Sequence, residues 1–323
     1  MNRWSILLVV TALLMAPSFG AANPNGVGEG TFDAQCGGAC HGDADMNRTS
    51  ASSVSVAVPS VVYEGLLTSV SVTVSNVQTT DTGLLGVFLL SDVTGAGDTP
   101  EDDGWTVVSN SAGGTQNYVE VTVEDGTAQH TVEWTLRAPA QGDYQLHASV
   151  HHGARDGNGA PFFGVSATPA SIEVQPVPED LPRLSEGFQP QVLRTVGDPT
   201  VVRLTTESVD GVEIEWRVAG GTVQTATVTP QDNDVWTFEL PASLEPVLIE
   251  WRAHLEGEGP TQTTPWVSLQ SEDPAFAADD TAAYVQALAM LIVFMAGFMA
   301  LQGRKPTDED SKHLHPLPVE VMR

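Results

Sequence analysis

Basic residues are scarce in this chain of 323 residues, which has 13 lysines and arginines against 41 aspartates and glutamates and a formal net charge of −28. Residues 23–283 contain no lysine at all. So acidic a chain is repelled by polyanions, which argues against nucleic acid or an anionic membrane surface as a partner. Cysteine is scarcer still, and two residues are too few for a disulfide-stapled miniprotein or a multi-cysteine zinc domain.

The two longest apolar stretches lie near the two ends of the chain. Residues 1–22 have a basic start, an apolar stretch and small residues at the end, which predicts a secretory signal peptide. Residues 284–302 contain an apolar stretch of about 18 residues, which as a helix is about 27 Å long and predicts a transmembrane helix. Arg304 and Lys305 follow it, so we expect a cytoplasmic tail over 303–323 and a single-pass type I protein of the cell membrane. The bulk of the chain would then lie outside the cytoplasm.

Between these ends, short runs alternate small polar residues with valine, as in Ser53–Val58 and Ser69–Val74. A period of two is typical of half-buried strands, and turn clusters rather than helical segments separate the runs. The pattern predicts an all-β fold of two tandem β-sandwiches, the second similar to immunoglobulin or fibronectin type III domains. The predicted organisation is a Gly-rich segment 23–52, a first sandwich 53–175, a Pro-rich linker 176–190, a second sandwich 191–270 and a spacer 271–283.

Both cysteines fall in one short segment, CGGACH, which contains Cys36, Cys40 and His41. Two thiols followed at once by a histidine are what a covalent haem c requires: the thiols bond to the porphyrin and His41 ligates the iron. The usual spacing has two residues between the cysteines, whereas here there are three. A local disulfide between the cysteines in an oxidising compartment is an alternative, and so is a zinc site completed by a ligand from elsewhere. The adjacent histidine favours haem, because a disulfide has no use for it.

A second ligand to the haem iron is expected from the first sandwich. His147 and His151 fall on one face of a predicted strand, and their separation of about 13 Å lets at most one of them reach a single iron. Either is a candidate, and the alternative is that both face solvent and water ligates the iron.

Further marks accompany the cysteine segment: Gly28-Glu29-Gly30 upstream of it, and Trp134, the Ala138–Ala140 stretch and His152-Gly153 in the predicted sandwich. Over about residues 25–175 this arrangement resembles the choice-of-anchor surface proteins of bacteria and archaea, whose sandwich is Reelin-like. The resemblance implies a c-type haem peptide packed beside the sandwich of an anchored exterior protein. The extra residue between the two cysteines departs from the ordinary attachment spacing.

These observations predict an extracytoplasmic, membrane-anchored, single-haem protein similar to c-type cytochromes, which transfers electrons to a redox partner or senses redox state. The alternative is a haem-free structural or adhesion protein with a Cys36–Cys40 disulfide and an envelope partner, and an enzyme that uses the iron is a third interpretation. The acidic loop 98–104 could hold Ca²⁺ or simply be solvated. No motif for hydrolase or nucleotide chemistry is present.

Overall fold

The computed structural model describes residues 48–77, 83–93, 99–124, 127–152, 162–231, 234–274 and 280–302. Within them the chain is mostly β-strand, with a 3₁₀ helix, Pro100–Asp103, and one α-helix, α1, Asp280–Gln302. The predicted all-β class is confirmed. The strands are β1 Arg48–Thr49, β2 Ser53–Ala57, β3 Val62–Tyr63, β4 Leu67–Ser75, β5 Leu84–Leu90, β6 Thr106–Asn110, β7 Tyr118–Thr122, β8 Gln129–Arg137, β9 Gly142–His152, β10 Phe162–Val165, β11 Ala170–Gln175, β12 Arg183–Leu184, β13 Leu193–Thr195, β14 Thr200–Glu207, β15 Gly211–Val218, β16 Gln224–Ala226, β17 Val228–Pro230, β18 Val235–Leu240, β19 Val247–Glu256, β20 Gln262–Thr263 and β21 Val267–Glu272.

The first half of the fold consists of two sheets that share one hydrophobic core. Sheet I runs β1-β10-β9-β11-β3, with β5 attached to β9 and β7 to β5, and sheet II runs β2-β4-β8-β6. Alternate residues of each strand turn inward, among them Leu146 and Val150 from sheet I and Val70 and Trp134 from sheet II. In the runs where small residues and valine alternate, the valines therefore face the core and the small residues face outward.

The second half repeats this arrangement around a separate core. Sheet III runs β12-β14-β18-β17, and sheet IV runs β13-β21-β19-β15-β16 with β20 attached to β19. Leu204, Phe238 and Trp251 are buried between the two sheets. The segment predicted as a linker contributes to this core, because Leu184 in β12 and Phe188 are buried in it.

Direct hydrogen bonds join the two halves. The Thr135 hydroxyl of β8 donates to the Trp266 carbonyl over 2.6 Å, and the Arg137 guanidinium donates to the Phe188 carbonyl. Consistent with these contacts, the described residues up to Asp273 form one compact unit, and those from Pro274 onward form a second.

The apolar segment near the C-terminus is helical, as α1. Crossing a bilayer requires about 20 consecutive apolar residues, and no helix within the described residues has the length and apolarity to do so. The transmembrane span predicted over 284–302 is therefore not supported. The predicted signal peptide, 1–22, and cytoplasmic tail, 303–323, lie outside the described residues.

One predicted strand is divided in the structure. The sequence pattern predicts a single strand from Val165 to Val174, whereas the chain forms β10 up to Val165 and β11 from Ala170. Pro169 lies in the interruption, and a proline has no N–H with which to continue a ladder.

The core of the first half should depend strongly on β9, the longest strand of sheet I. Leu146 in β9 is completely buried, so Leu146→Ala should lower the free energy of unfolding by about 2–5 kcal/mol. Urea denaturation of the full chain measures this. The matched control is Leu84→Ala in β5, where the side chain is 44% exposed and a change of about 0.5 kcal/mol or less is expected. Equal effects of the two substitutions would contradict the core described here.

Candidate functional site

The cysteine segment reaches the described fold through β1. Cys36, Cys40 and His41 lie outside the described residues, and Arg48, the first residue of β1, follows His41 by seven positions. Seven residues of extended chain span at most about 25 Å. The position of β1 therefore limits where the cysteine segment can lie.

Strand β1 lies at the edge of sheet I, two strands from β9. It pairs in parallel with β10, with Thr49 opposite Phe163, and the backbone N–H of Ser50 donates to the Phe163 carbonyl over 2.7 Å. Strand β10 in turn pairs antiparallel with the end of β9, where Phe163 is opposite His151. The chain that leaves the cysteine segment thus joins the sheet next to the strand that carries the candidate histidines.

Strand β9 presents its side chains alternately to the core and to the outer face of sheet I. Leu146, Ala148 and Val150 belong to the core of the first half. His147 and His151 alternate with these core residues, so they lie on the opposite side, as predicted from the period of two. We call this side, with the flanking residues of β5 and β10, the outer face of sheet I.

His151 is enclosed although it lies on the outer face. Only 6% of His151 and 1% of the neighbouring Ser149 are exposed. His151 is flanked in register by Phe163 of β10 and Gly86 of β5. A Cβ added to Gly86 would lie 3.4 Å from the Phe88 ring and 3.6 Å from the His151 carbonyl oxygen, so the Phe88 ring lies close to the backbone beside His151.

Aromatic side chains continue this surface along β5 and β7. Phe88, opposite Ser149, stacks on Tyr118 with ring centroids 5.4 Å apart. Both rings are partly buried. A buried imidazole with aromatic neighbours is a suitable environment for a flat, largely apolar group that needs a nitrogen ligand.

His147 lies at the other end of the same face, opposite Leu90 of β5. Four residues of strand separate it from His151, about 13 Å, so the two imidazoles do not converge on one atom. Burial lowers the pKa of His147, and the negative charge of Asp92 partly offsets this. Burial therefore favours the neutral imidazole, which is the form that ligates a metal.

His152 has a structural role that the sequence pattern did not indicate. It points to the opposite side of β9 from His151, where its ring stacks on Phe162 at 5.1 Å and its Nε2 shares a 2.8 Å hydrogen bond with the Ser50 hydroxyl. Ser50 directly follows β1. This bond therefore connects the residue after β1 to β9 across β10. In the sequence, the only sign of this contact was a second histidine next to His151.

Gly164 makes this connection sterically feasible. It lies in β10 between the two strands that the bond joins, and a Cβ there would approach the Ser50 Cβ to 3.2 Å and the Val150 side chain to 3.4 Å. A side chain at this position would require Ser50 or Val150 to move by a few tenths of an ångström.

The acidic loop predicted as a calcium site is partly described. Asp98 lies outside the described residues. The Asp102 carboxylate accepts hydrogen bonds from the Thr99 N–H at 3.0 Å and the Thr99 hydroxyl at 2.7 Å, and so caps the 3₁₀ helix. Burial raises the pKa of the adjacent Glu101. In the part of the chain that the structure describes, no cluster of three or more histidine, cysteine or acidic side chains is arranged to hold a metal ion, so calcium binding stays a prediction.

Comparison with known proteins adds little to this description. No family model matches the chain, and no curated protein matches it. A marsupial T cell receptor is similar over 70% of this chain and 75% of that chain, at 10% identity and a TM-score of 0.23. The CARDB domain of a Pyrococcus furiosus protein in complex with di-metal ions is similar over 37% of this chain and 91% of that chain, at 14% identity and a TM-score of 0.21. Scores this low give no basis for transferring a function.

The connection between Ser50 and His152 should contribute measurably to stability. Ser50→Ala removes the buried hydroxyl and should lower the free energy of unfolding by about 0.5–1.5 kcal/mol. Hydrogen exchange should show faster exchange of the amides of β1 and β10, with sheets III and IV unaffected. Ser55→Ala, an exposed serine of β2, is the matched control and should be neutral. Unchanged exchange in β1 would show that the hydroxyl does not hold the incoming chain.

Proposed function

We propose that this protein is a single-haem, c-type electron carrier or redox sensor that acts outside the cytoplasm. Cys36 and Cys40 would bond covalently to the haem, and His41 would be the first protein ligand of its iron. The sequence basis is the pair of thiols with an adjacent histidine, and the resemblance to choice-of-anchor surface proteins supports it. The partner would be a redox protein or an envelope component.

The observation that carries this proposal is the attachment of β1 next to β10 and β9. Arg48, at the edge of sheet I, follows His41 by seven residues, so His41 can lie at most about 25 Å from Arg48. His151 lies two strands away on the outer face of the same sheet. A group held by the cysteine segment is thus within reach of a buried imidazole.

Several described residues have the chemistry that such a group would require. His151 would be the second iron ligand, because it is enclosed and has Phe163 beside it, whereas His147 lies about 13 Å further along the strand. Phe88 and Tyr118 would exclude water from that side of the site. When bound, haem iron supplies a one-electron couple whose potential depends on its two ligands and on the burial of the site.

Electron transfer is favoured over catalysis by this choice of ligands. If His41 and His151 both bound the iron, the protein would supply two ligands and leave no coordination site on the iron for a substrate. The adhesion alternative needs only the Cys36–Cys40 disulfide, and the covalent state of these two sulfurs therefore decides between the two functions.

We further propose that the first half is Reelin-like and the second immunoglobulin-like. The order β12-β14-β18-β17 of sheet III corresponds to strands A, B, E and D of an immunoglobulin domain. The order β21-β19-β15 of sheet IV corresponds to strands G, F and C. The two halves would form a rigid scaffold for the haem segment.

Covalent haem is tested by expressing the full chain in a host with c-type haem maturation. The purified, denatured protein should keep its Soret band through organic extraction, because thioether bonds survive unfolding. The double substitution of Cys36→Ser and Cys40→Ser should abolish the retained band. A colourless wild-type protein would contradict the proposal and favour the adhesion alternative.

The second ligand is tested by a pair of substitutions in the same strand. His151→Ala should convert the oxidised protein from a low-spin to a high-spin spectrum, because the iron loses a strong-field nitrogen ligand. His147→Ala, on the same face of β9, should leave the spectrum unchanged. An effect of His147→Ala alone, or of neither variant, would show that His151 is not the ligand.

A further inference from the structure

A cleft lies between the two halves of the fold, away from the outer face of sheet I. Its volume is about 540 Å³, and its walls are formed by residues of sheets II and IV together with β3 and the residues next to β3. Hydrogen bonds between the halves close its base, including that from the Ser268 N–H to the Ser109 hydroxyl at 3.2 Å. Sites for small ligands commonly enclose about 300–1,000 Å³, so the cleft is of suitable size.

The segment that borders the cleft, Gln262–Trp266, is held in place by β19. The His254 Nδ1 is 2.9 Å from the Thr263 hydroxyl, and the Thr264 hydroxyl accepts the Ala253 N–H at 2.9 Å. The Trp266 carbonyl accepts the hydrogen bond from the first half described above. The cleft is therefore a preformed feature with a fixed tryptophan at its edge.

The Trp266 ring lies against two arginines. The guanidinium carbons of Arg217 and Arg252 are 4.2 and 4.4 Å from its ring centroid. Each guanidinium is also paired with a carboxylate at 2.6 Å: Arg217 with Glu250 and Arg252 with Glu215. The arginines thus orient the ring without leaving excess positive charge.

The charge of the cleft argues against an anionic ligand. The charged residues that line the cleft are Glu133, Glu250 and Arg252. Glu250 is paired with Arg217 and Arg252 with Glu215, whereas Glu133, an exposed residue of sheet II, forms no salt bridge with any described residue. The whole chain carries −28. Phosphates, nucleotides and acidic peptides would therefore be repelled.

An apolar ligand is equally unsuitable, because polar side chains supply much of the lining. Ser69, Thr263 and Gln262 line the cleft together with Glu133, and an apolar group would strip water from them without replacing its hydrogen bonds. With anionic and apolar ligands excluded, the lining is best matched by an uncharged ligand that has many hydroxyls and one apolar face.

We propose that this cleft binds a neutral oligosaccharide. The C–H face of a sugar ring packs on the part of the Trp266 ring that Arg217 and Arg252 do not cover, and this side chain is half-buried at the edge of the cleft. Sugar hydroxyls donate to the Glu133 carboxylate and exchange hydrogen bonds with the hydroxyls of Ser69 and Thr263 and the amide of Gln262. The cleft is separate from the outer face of sheet I, and its ligand does not depend on the function proposed for that face.

The experiment is isothermal titration calorimetry of the full chain with maltohexaose, cellohexaose, chitohexaose and mannohexaose, and with an oligogalacturonate as the anionic probe. At least one neutral oligosaccharide should bind, and the oligogalacturonate should not. Absence of binding by all four neutral probes at millimolar concentration would overturn the proposal, as would tighter binding of the anionic probe.

Two substitutions locate the binding site. Glu133→Gln and Trp266→Ala should each weaken binding of that oligosaccharide by about tenfold or more, because each removes a direct contact. Glu239→Gln makes the same chemical change at an exposed position of β18 in sheet III and should bind as the wild type does. If Trp266→Ala does not fold, the affinity of the Glu133→Gln variant alone tests whether the oligosaccharide binds in the cleft. Unchanged affinity in the folded variants would overturn the assignment of the cleft.

Discussion

The attachment of a two-residue strand to the edge of sheet I is the constraint on which the candidate site depends. So short a pairing is weak by itself, and the hydrogen bond between Ser50 and His152 reinforces it from the core side of the sheet. Gly164 supplies the room for this contact. Because the cysteine segment directly precedes this strand, the connection that holds Ser50 also limits how far His41 can lie from His151.

Two consecutive histidines in β9 have different environments because successive residues of a strand point to opposite sides. His152 points toward Ser50 and stabilises the entry of the chain, whereas His151 lies enclosed on the outer face beside Phe163. The same strand contributes Leu146 and Val150 to the core. Packing of the first half therefore fixes the position of the candidate ligand, and a loosened core would displace it.

Much of the fold could be predicted from the sequence. The alternation of valine with small residues predicted β2 and β4 to within one or two residues of their observed ends. The site was less predictable. The period of two put His151 on an outer face, but its burial and the bond between Ser50 and His152, 102 residues apart, depend on tertiary contacts. Local patterns carry no information about such pairings. The same holds for the cleft, where residues from both halves of the fold meet.

The most direct test of the account is tandem mass spectrometry, under non-reducing conditions, of the peptide that contains Cys36 and Cys40, isolated from the native full chain. The account predicts that this peptide carries the complete mass of one haem, with both sulfurs in thioether bonds. A peptide lighter than the free dithiol form by two hydrogens would mean that the sulfurs are bonded to each other, and this would contradict the electron-carrier function.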